Sequence, residues 1–375
     1  MTTMTFPVDA LREQLGSEAI LHYEDGPHMP CIVVEPSALR ATLLWLRDES
    51  PTRFDFLSDL AGADGIRLNW DNWPGRFHVV YHLRSTSVGS RIRVKVPVGE
   101  SSPEVPSIHD LWRSADWMER EVFDMFGVTF TDHPNMKRIL CHHKFRGHAL
   151  RKDYFIQDGQ PLDDAADLMD ELGDWGESPD DGGFSELIPV NIGPAHPATH
   201  GTLRILAKLD GETIVKAIPE IGYLHRGFEK HCEEGTYTMA IPYTDRLNYC
   251  SAMLNNVAWC HTVETMLDVQ LPERTQVIRV IVSELSRIID HCVCLGAILV
   301  DLGALTNFWY LFNLRERIYS ILEALCGARL TSTYLRIGGV SHDLNDEFVA
   351  DVRAILRDMP KNINDVLGLI AKNRI

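Results

Sequence analysis

Between Gln157 and Phe184 the chain carries Asp158, Asp163, Asp164, Asp167, Asp170, Glu171, Asp174, Glu177, Asp180 and Asp181 with no Lys or Arg among them, punctuated by Gly and Pro. Such a segment has too little apolar surface to offset its own ordering entropy. It reads as a linker that wraps a surface rather than as a packed element. These acids also lack the spacing of a calcium loop. A chain of 375 residues interrupted in this way is expected to hold two cores rather than one. The expected organisation is a domain over 1–156, a linker over 157–185 and a second domain over 186–375.

The chain as a whole has ordinary soluble composition, 45% apolar and 24% charged. The net charge of -17 argues against nucleic-acid binding and against adsorption on anionic lipid. Met1 to Ala10 has neither a basic start nor an apolar core segment, so no secretory signal is expected. The longest apolar stretch, Cys292 to Val300, stops at Asp301 and is too short to span a bilayer. Membrane association is therefore expected to run through partner proteins. The eight cysteines form no CxxC pair. Cys292 and Cys294 sit two apart in a predicted helix and face different ways. Buried free thiols are the expected reading, and a chain with this spacing does not ligate an iron–sulfur cluster alone.

The first domain mixes both kinds of element. Cys31 to Val34 is a short apolar run, and Pro36 opens a helical stretch from Ala38 to Arg47. Phe77 to Leu83 reads as a buried strand. Arg91 to Val96 alternates, with Ile92, Val94 and Val96 on one face and Arg91, Arg93 and Lys95 on the other, which predicts a half-exposed strand. Asp110 to Phe126 is helical in composition. In the second domain, Leu203 to Leu209 and Thr213 to Ile218 flank Asp210-Gly211, a hairpin signal. After Pro219 the pattern turns helical. Ile278, Ile281, Leu285, Ile288, Ile289 and Cys292 share one helix face. Leu314, Ile318, Ile321, Leu322 and Leu325 share the next. The fold class is α+β: a small α+β domain, then a small antiparallel β subdomain leading into a mainly α-helical bundle.

Three segments carry candidate chemistry. Gly193-Pro194-Ala195-His196-Pro197-Ala198-Thr199-His200-Gly201 holds two histidines four apart. A zinc pair at that spacing needs a helix, and Pro197 and the flanking glycines predict a loop instead. Tyr243-Thr244-Asp245-Arg246-Leu247-Asn248-Tyr249 ends on a tyrosine that reads either as a half-buried core residue or as a neutral donor to a carbonyl oxygen. Asp301-Leu302-Gly303-Ala304-Leu305-Thr306 places an acid after an apolar helix, either as a helix end or as a buried acid in need of a partner. No GxGxxG, GxxxxGK[ST] or GxSxG pattern occurs, so any nucleotide of the reaction binds elsewhere.

Longer motifs carry a resemblance. Asn191-Ile192-Gly193-Pro194, His196-Pro197, His200-Gly201, Gly222-Tyr223-Leu224-His225-Arg226-Gly227, Glu229-Lys230, Pro242-Tyr243-Thr244-Asp245-Arg246, Asp301-Leu302-Gly303-Ala304 and Arg336-Ile337-Gly338-Gly339-Val340 resemble the D-type (49-kilodalton-type) subunit of respiratory complex I. Glu119-Arg120-Glu121, Asp124-Met125-Phe126-Gly127, His133-Pro134, Arg138-Ile139-Leu140 and Arg151-Lys152-Asp153-Tyr154 resemble the C-type (30-kilodalton-type) subunit. Some bacteria fuse the two in this order. Members of the family continue well past the position of Ile375, so the second domain is expected to be incomplete at its C-terminal end. Asn307 stands where the family usually has proline.

The resemblance implies a peripheral-arm subunit of a proton-translocating NADH:quinone oxidoreductase on the cytoplasmic side of the bacterial inner membrane. It implies quinone as substrate, with His200 and Tyr249 donating to the two carbonyls of its head group. Asp301 would pair with His200, and Arg226 would lie near a neighbouring iron–sulfur cluster. The implied partners are a B-type [4Fe–4S] subunit, I-type ferredoxin-like and G-type Fe–S subunits, and membrane subunits of the H and A type. The [4Fe–4S] clusters, FMN and NADH would all bind to partner subunits. The second domain is also similar to the large subunit of [NiFe] hydrogenases. Those hold metal through two CxxC pairs, and Arg246-Leu247-Asn248-Tyr249-Cys250 lacks the second cysteine. Competing readings are a hydrogenase-like or ferredoxin-linked membrane oxidoreductase and a non-catalytic assembly protein.

Overall fold

The structure, a computed structural model, describes residues 7–26, 29–67, 74–157, 159–160, 187–371 and 373. Most of the acidic segment over 157–185 therefore lies outside the described residues. Two compact units are present, Met1–Lys230 and His231–Ile375.

The first unit is built on a five-stranded sheet. After helix α1 (Val8–Leu15) come β1 (Ile20–Asp25) and β2 (Pro30–Val34), then helix α2 (Leu39–Leu44), which runs into a π-helical turn, Trp45–Glu49. Strands β3 (Phe56–Asp64), β4 (Phe77–Arg84) and β5 (Arg91–Val98) complete the sheet in the order β1-β2-β5-β4-β3. Within this sheet β2 and β5 pair in parallel and the other neighbours are antiparallel. The alternation of β5 appears as expected, with Ile92, Val94 and Val96 fully buried. Arg91 is exposed while Arg93 and Lys95 are half-buried, and Arg93 Nε donates to His82 Nε2 at 2.9 Å. Helix α3 (Ala115–Phe126) packs across β3 and closes a core that includes Leu43, Phe77, Tyr81, Val122 and Met125.

Helix α3 begins later than its composition predicts, because residues 110–114 form turns. Their side chains are committed elsewhere. Asp110 takes two hydrogen bonds from the Arg40 guanidinium, at 2.8 and 2.6 Å, and the Trp112 indole donates to the Asp55 carbonyl at 2.9 Å. Tertiary bonds of this kind override helix propensity over a few residues. Short strands β6 (Glu104–Pro106) and β7 (Thr129–Thr131) bracket the helix and pair in parallel.

The same unit contains a three-stranded antiparallel sheet, β8 (Ile188–Ile192), β9 (Arg204–Asp210) and β10 (Thr213–Glu220), in the order β10-β9-β8. The predicted hairpin is present: Asp210 pairs with Thr213 across a two-residue loop, with Gly211 at φ +58°. Helix α4 (Phe228–Glu234) follows.

The second unit is helical: α5 (Tyr237–Asp245), α6 (Ala252–Met266), α7 (Glu273–Asp301), α8 (Leu305–Cys326) and α9 (Asp346–Ala371), with a minimal hairpin of β11 (Leu335–Arg336) and β12 (Gly339–Val340) before α9. The predicted apolar faces are its core. Ile278, Leu285, Ile289 and Cys292 of α7 pack with Leu314, Ile318, Ile321, Leu322 and Leu325 of α8, and Ile281 and Ile288 border them. The cysteines are free thiols; Cys31, Cys260 and Cys292 are buried, and burial pushes the Cys292 thiol up to about 11. Cys294 departs from the expectation of buried thiols, because it lies on the exposed side of α7, opposite Cys292. Among the described residues no helix is long and apolar enough to cross a membrane.

Candidate functional site

The histidine segment is a loop, as Pro197 and the glycines predict. Gly193 has φ +85°, and a Cβ there would collide with the Leu203 carbonyl oxygen. Only glycine lets the two backbones approach so closely. The Gly193-Pro194 peptide is cis. His196 is extended, and its Nδ1 accepts the Ala198 N–H at 3.2 Å, capping a single 3₁₀ turn over Pro197–Thr199. The Thr199 hydroxyl lies 2.7 and 2.8 Å from the carbonyls of His196 and Gly201, stitching the turn closed. His200 follows in the left-handed region at φ +50° with its side chain exposed. The turn thus projects the His200 ring outward, as a group offered to a ligand or partner must be.

Arg226 sits on the segment that leaves β10. Gly222 has φ +108°, and a Cβ there would collide with the Leu140 carbonyl oxygen. The His225 N–H closes a turn onto the Gly222 carbonyl at 2.9 Å. Behind the turn, Glu220 accepts from Tyr223 Oη at 3.1 Å and from Arg204 at 3.1 Å, while Arg204 Nε donates to Asn191 Oδ1 at 3.0 Å. That chain of bonds ties the turn to all three strands. Burial, followed by the Glu220 charge, raises the Tyr223 phenol above its usual value even though Arg204 acts against it. Arg226 itself is exposed. One pocket of about 410 Å³ is lined by Gly201, Thr202 and Leu203, by Ile221, Gly222, Leu224 and His225, and by Leu140. His200 and Arg226 are not themselves among the residues that line this largely apolar concavity.

Tyr249 and Asp301 belong to the second unit. Tyr249 opens a 3₁₀ turn, Tyr249–Ser251, and is 57% exposed, which rules out a half-buried core role. Asn248 beside it donates to Asp290 of α7 at 3.4 Å, and Asn255 Nδ2 holds the Asn248 carbonyl at 3.2 Å. Asp290 precedes Asp301 by roughly 16 Å of helix. Asp301 is the last residue of α7 and is exposed, with Gly303 at φ +84° turning the chain away. The helix-end reading of Asp301 matches its position. An acid there faces the negative end of the helix dipole.

Two buried polar centres in this unit escape a reading of the sequence. Asp245, in the segment that leads to Tyr249, is 2% exposed and bonds to Asn256, which also donates to Thr244 Oγ1 at 2.9 Å. Burial raises the Asp245 carboxyl to about 6 despite the Asn256 bond and the Arg246 charge. Glu264 and Arg279 form the second centre, buried under the β11–β12 hairpin. Their one signal in the sequence is a charged residue at an inward position of a helix, which spacing alone does not separate from a surface charge. Among the described residues no group of three His, Cys, Asp or Glu side chains is arranged to hold a metal ion.

Comparison with known proteins places these elements. The family of the respiratory-chain NADH dehydrogenase 30 Kd subunit matches residues 32–160. The family of the 49 Kd subunit of the same enzyme matches residues 301–375, a stretch that includes Asp301. A protein of Bdellovibrio bacteriovorus, named as the C/D subunit of NADH-quinone oxidoreductase, is 45% identical over 335 residues, covering 89% of this chain and 58% of its own length. Proteins of the same name from Acidiphilium cryptum and Pseudomonas aeruginosa are 37% and 36% identical, covering 98% and 97% of this chain. The chain spans 58%, 64% and 63% of the length of these three relatives.

Proposed function

We propose that the chain, which is similar to fused C/D subunits of NADH-quinone oxidoreductases, serves in the peripheral arm of such an enzyme and contributes the head of its quinone-reduction site. The observation that carries this reading is one apolar pocket lined both by the residues that follow His200 and by those that precede Arg226. Ligand sites combine an apolar wall with a few directed polar groups in this way.

In this reading the sequence divides into a docking domain over 1–156, a linker over 157–185 and a quinone-site domain over 186–375 that shares the helical architecture of [NiFe] hydrogenase large subunits. His200 and Tyr249 donate hydrogen bonds to the two quinone carbonyls. Asp301 pairs with His200 and orients its ring toward the quinone. The outward projection of His200 and the exposure of Tyr249 support the assignment, since a donor must reach its acceptor. Electrons come from NADH through FMN and iron–sulfur clusters on partner subunits, the last a [4Fe–4S] cluster of a B-type neighbour. The dispersal of this chain's thiols, three of them inside the cores, supports placing those clusters elsewhere. The remaining partners are I-type, G-type, H-type and A-type subunits, and the arm sits on the cytoplasmic side of the inner membrane.

The test is Tyr249→Phe in membranes carrying the assembled enzyme. NADH-to-quinone turnover is compared with NADH-to-artificial-acceptor turnover, which bypasses the quinone site. Loss of a positioned donor lowers quinone turnover by about 10²–10⁴-fold while the second rate holds. If both rates are unchanged, Tyr249 is not a donor and the assembly reading replaces this one.

A further inference from the structure

We infer that the first unit fixes Arg226 through two anchors on the segment Gly222–Lys230, and that Lys230 is a positioning residue for the Arg226 guanidinium. The functional side of this inference rests on the proposed placement of Arg226 beside the neighbour's cluster.

The first anchor is the contact of Gly222 with the Leu140 carbonyl, so close that no side chain fits between them. That carbonyl cannot retreat. The peptide units around it donate to a single oxygen of Asp124, from Ile139 N at 3.1 Å, Leu140 N at 2.8 Å and Cys141 N at 2.8 Å. Arg138 holds the other oxygen at 2.7 Å. Asp124 is fully buried in α3.

The second anchor is Lys230. Its side chain is buried, 6% exposed, and its ammonium donates to the Arg151 carbonyl at 2.9 Å. Burying a lysine is costly unless its donors are used, so its presence here marks a contact that methionine would not reproduce. Arg151 is itself held, because its Nε donates to the Phe126 carbonyl at 2.6 Å. Phe126 is the last residue of α3. Both anchors therefore trace to one end of one helix, through Asp124 and through Phe126. Between them the chain makes the Gly222–His225 turn, passes Gly227 at φ +61° and presents Arg226 to solvent. A segment pinned at both ends to one rigid helix holds a long flexible side chain at a defined site with little further ordering cost.

The experiment uses the assembled enzyme with Arg226→Met, Lys230→Met and Lys230→Arg. Amide hydrogen exchange over residues 222–229 reads the anchoring directly. A redox titration of the neighbour's terminal cluster reads its consequence. Lys230→Met is expected to speed exchange at His225 about tenfold and to move the cluster potential in the same direction as Arg226→Met, with Lys230→Arg restoring both. Wild-type exchange in Lys230→Met overturns the inference. So does faster exchange with no change in a potential that Arg226→Met does shift. If Arg226→Met leaves the potential unmoved, the placement of Arg226 at the cluster fails, while faster exchange in Lys230→Met still upholds the anchoring. Should Lys230→Met not assemble, Gly222→Ala challenges the other anchor with the same readouts, and wild-type exchange there overturns the inference.

Discussion

Glu264 and Arg279 meet as a two-pronged ion pair inside the helical unit, with nitrogen–oxygen distances of 2.7 and 2.6 Å and side chains 2% and 5% exposed. The same Arg279 nitrogen reaches the carbonyls of Arg336 at 2.8 Å and Gly339 at 3.0 Å, and Glu264 accepts the Gly338 N–H at 2.7 Å. The pair thus clamps the β11–β12 hairpin from both sides. Burial alone would raise the Glu264 carboxyl, but Arg279 and the Gly338 N–H outweigh it and hold the group below its usual value. Removing one member strands a buried charge, so Arg279→Met is expected to cost about 3–5 kcal/mol. Adding Glu264→Gln should recover part of that loss. Urea midpoints of the four proteins of this double-mutant cycle decide the matter, and strictly additive losses would sink the clamp.

A second prediction concerns pH. Glu119 on α3 is fully buried, accepting from the Ser107 hydroxyl at 2.5 Å and the Ile108 N–H at 2.7 Å. Its surroundings include Asp110, Asp116, His109 and His133. His133 Nδ1 accepts from Asn135 N at 3.0 Å, which leaves the ring hydrogen on Nε2 to be donated to the Asp116 backbone carbonyl at 3.0 Å, with the carboxylates of Asp116 and Glu119 at 3.2 and 3.8 Å. Burial first, then the nearby acids, raise Glu119 from 4.5 to about 7, against its two hydrogen bonds.

The folded chain therefore keeps a proton that the unfolded chain releases. Stability contributed by this group falls as pH rises from 4.5 to about 7 and is flat above. The slope approaches ~1.4 kcal/mol per pH unit. His133, held low by burial, acts in the opposite sense as pH falls through the ordinary histidine range, so the quantity to follow is the difference between wild type and variant. Glu119→Gln mimics the neutral acid. It should be more stable than wild type at pH 8 and level with it near pH 5. Parallel stability curves for the two proteins would show that Glu119 is ionised throughout.

What the sequence reveals follows from the range of the forces involved. The face of β5 and the stripes of α7 and α8 are local patterns, and Ile92, Leu285 and Ile318 lie where periodicity puts them. The loop around His200 is equally legible, since Pro197 forbids the helix a zinc pair would need. Asp110 and Trp112 are misread as helical because their partners, Arg40 and Asp55, are distant in sequence. The exposure of Tyr249 is hidden for a related reason, as the 3₁₀ turn that turns it outward is braced by Asn255 and by Asp290 of another helix. The contact of Gly222 with Leu140 crosses the acidic segment and leaves no trace but an unexplained glycine.

Asp124 offers the last prediction, because one carboxylate there organises four donors and a neighbouring thiol. Cys141 Sγ is raised to about 12, by burial first and by the Asp124 charge second. Asp124→Asn keeps an oxygen for the three backbone N–H groups but turns a neutral amide toward Arg138. Losing that charge-assisted bond should cost about 1.5–3 kcal/mol. It should also let the Cys141 thiol fall toward its ordinary value, which at fixed pH raises the thiolate fraction about tenfold per unit. Alkylation of Cys141 at pH 9 separates this from loosening of the unit, because loosening alone would also speed alkylation of buried Cys31. Faster reaction at Cys141 with Cys31 unchanged is the expected result, and equal acceleration at both would mean that Asp124 acts on stability without setting the local charge.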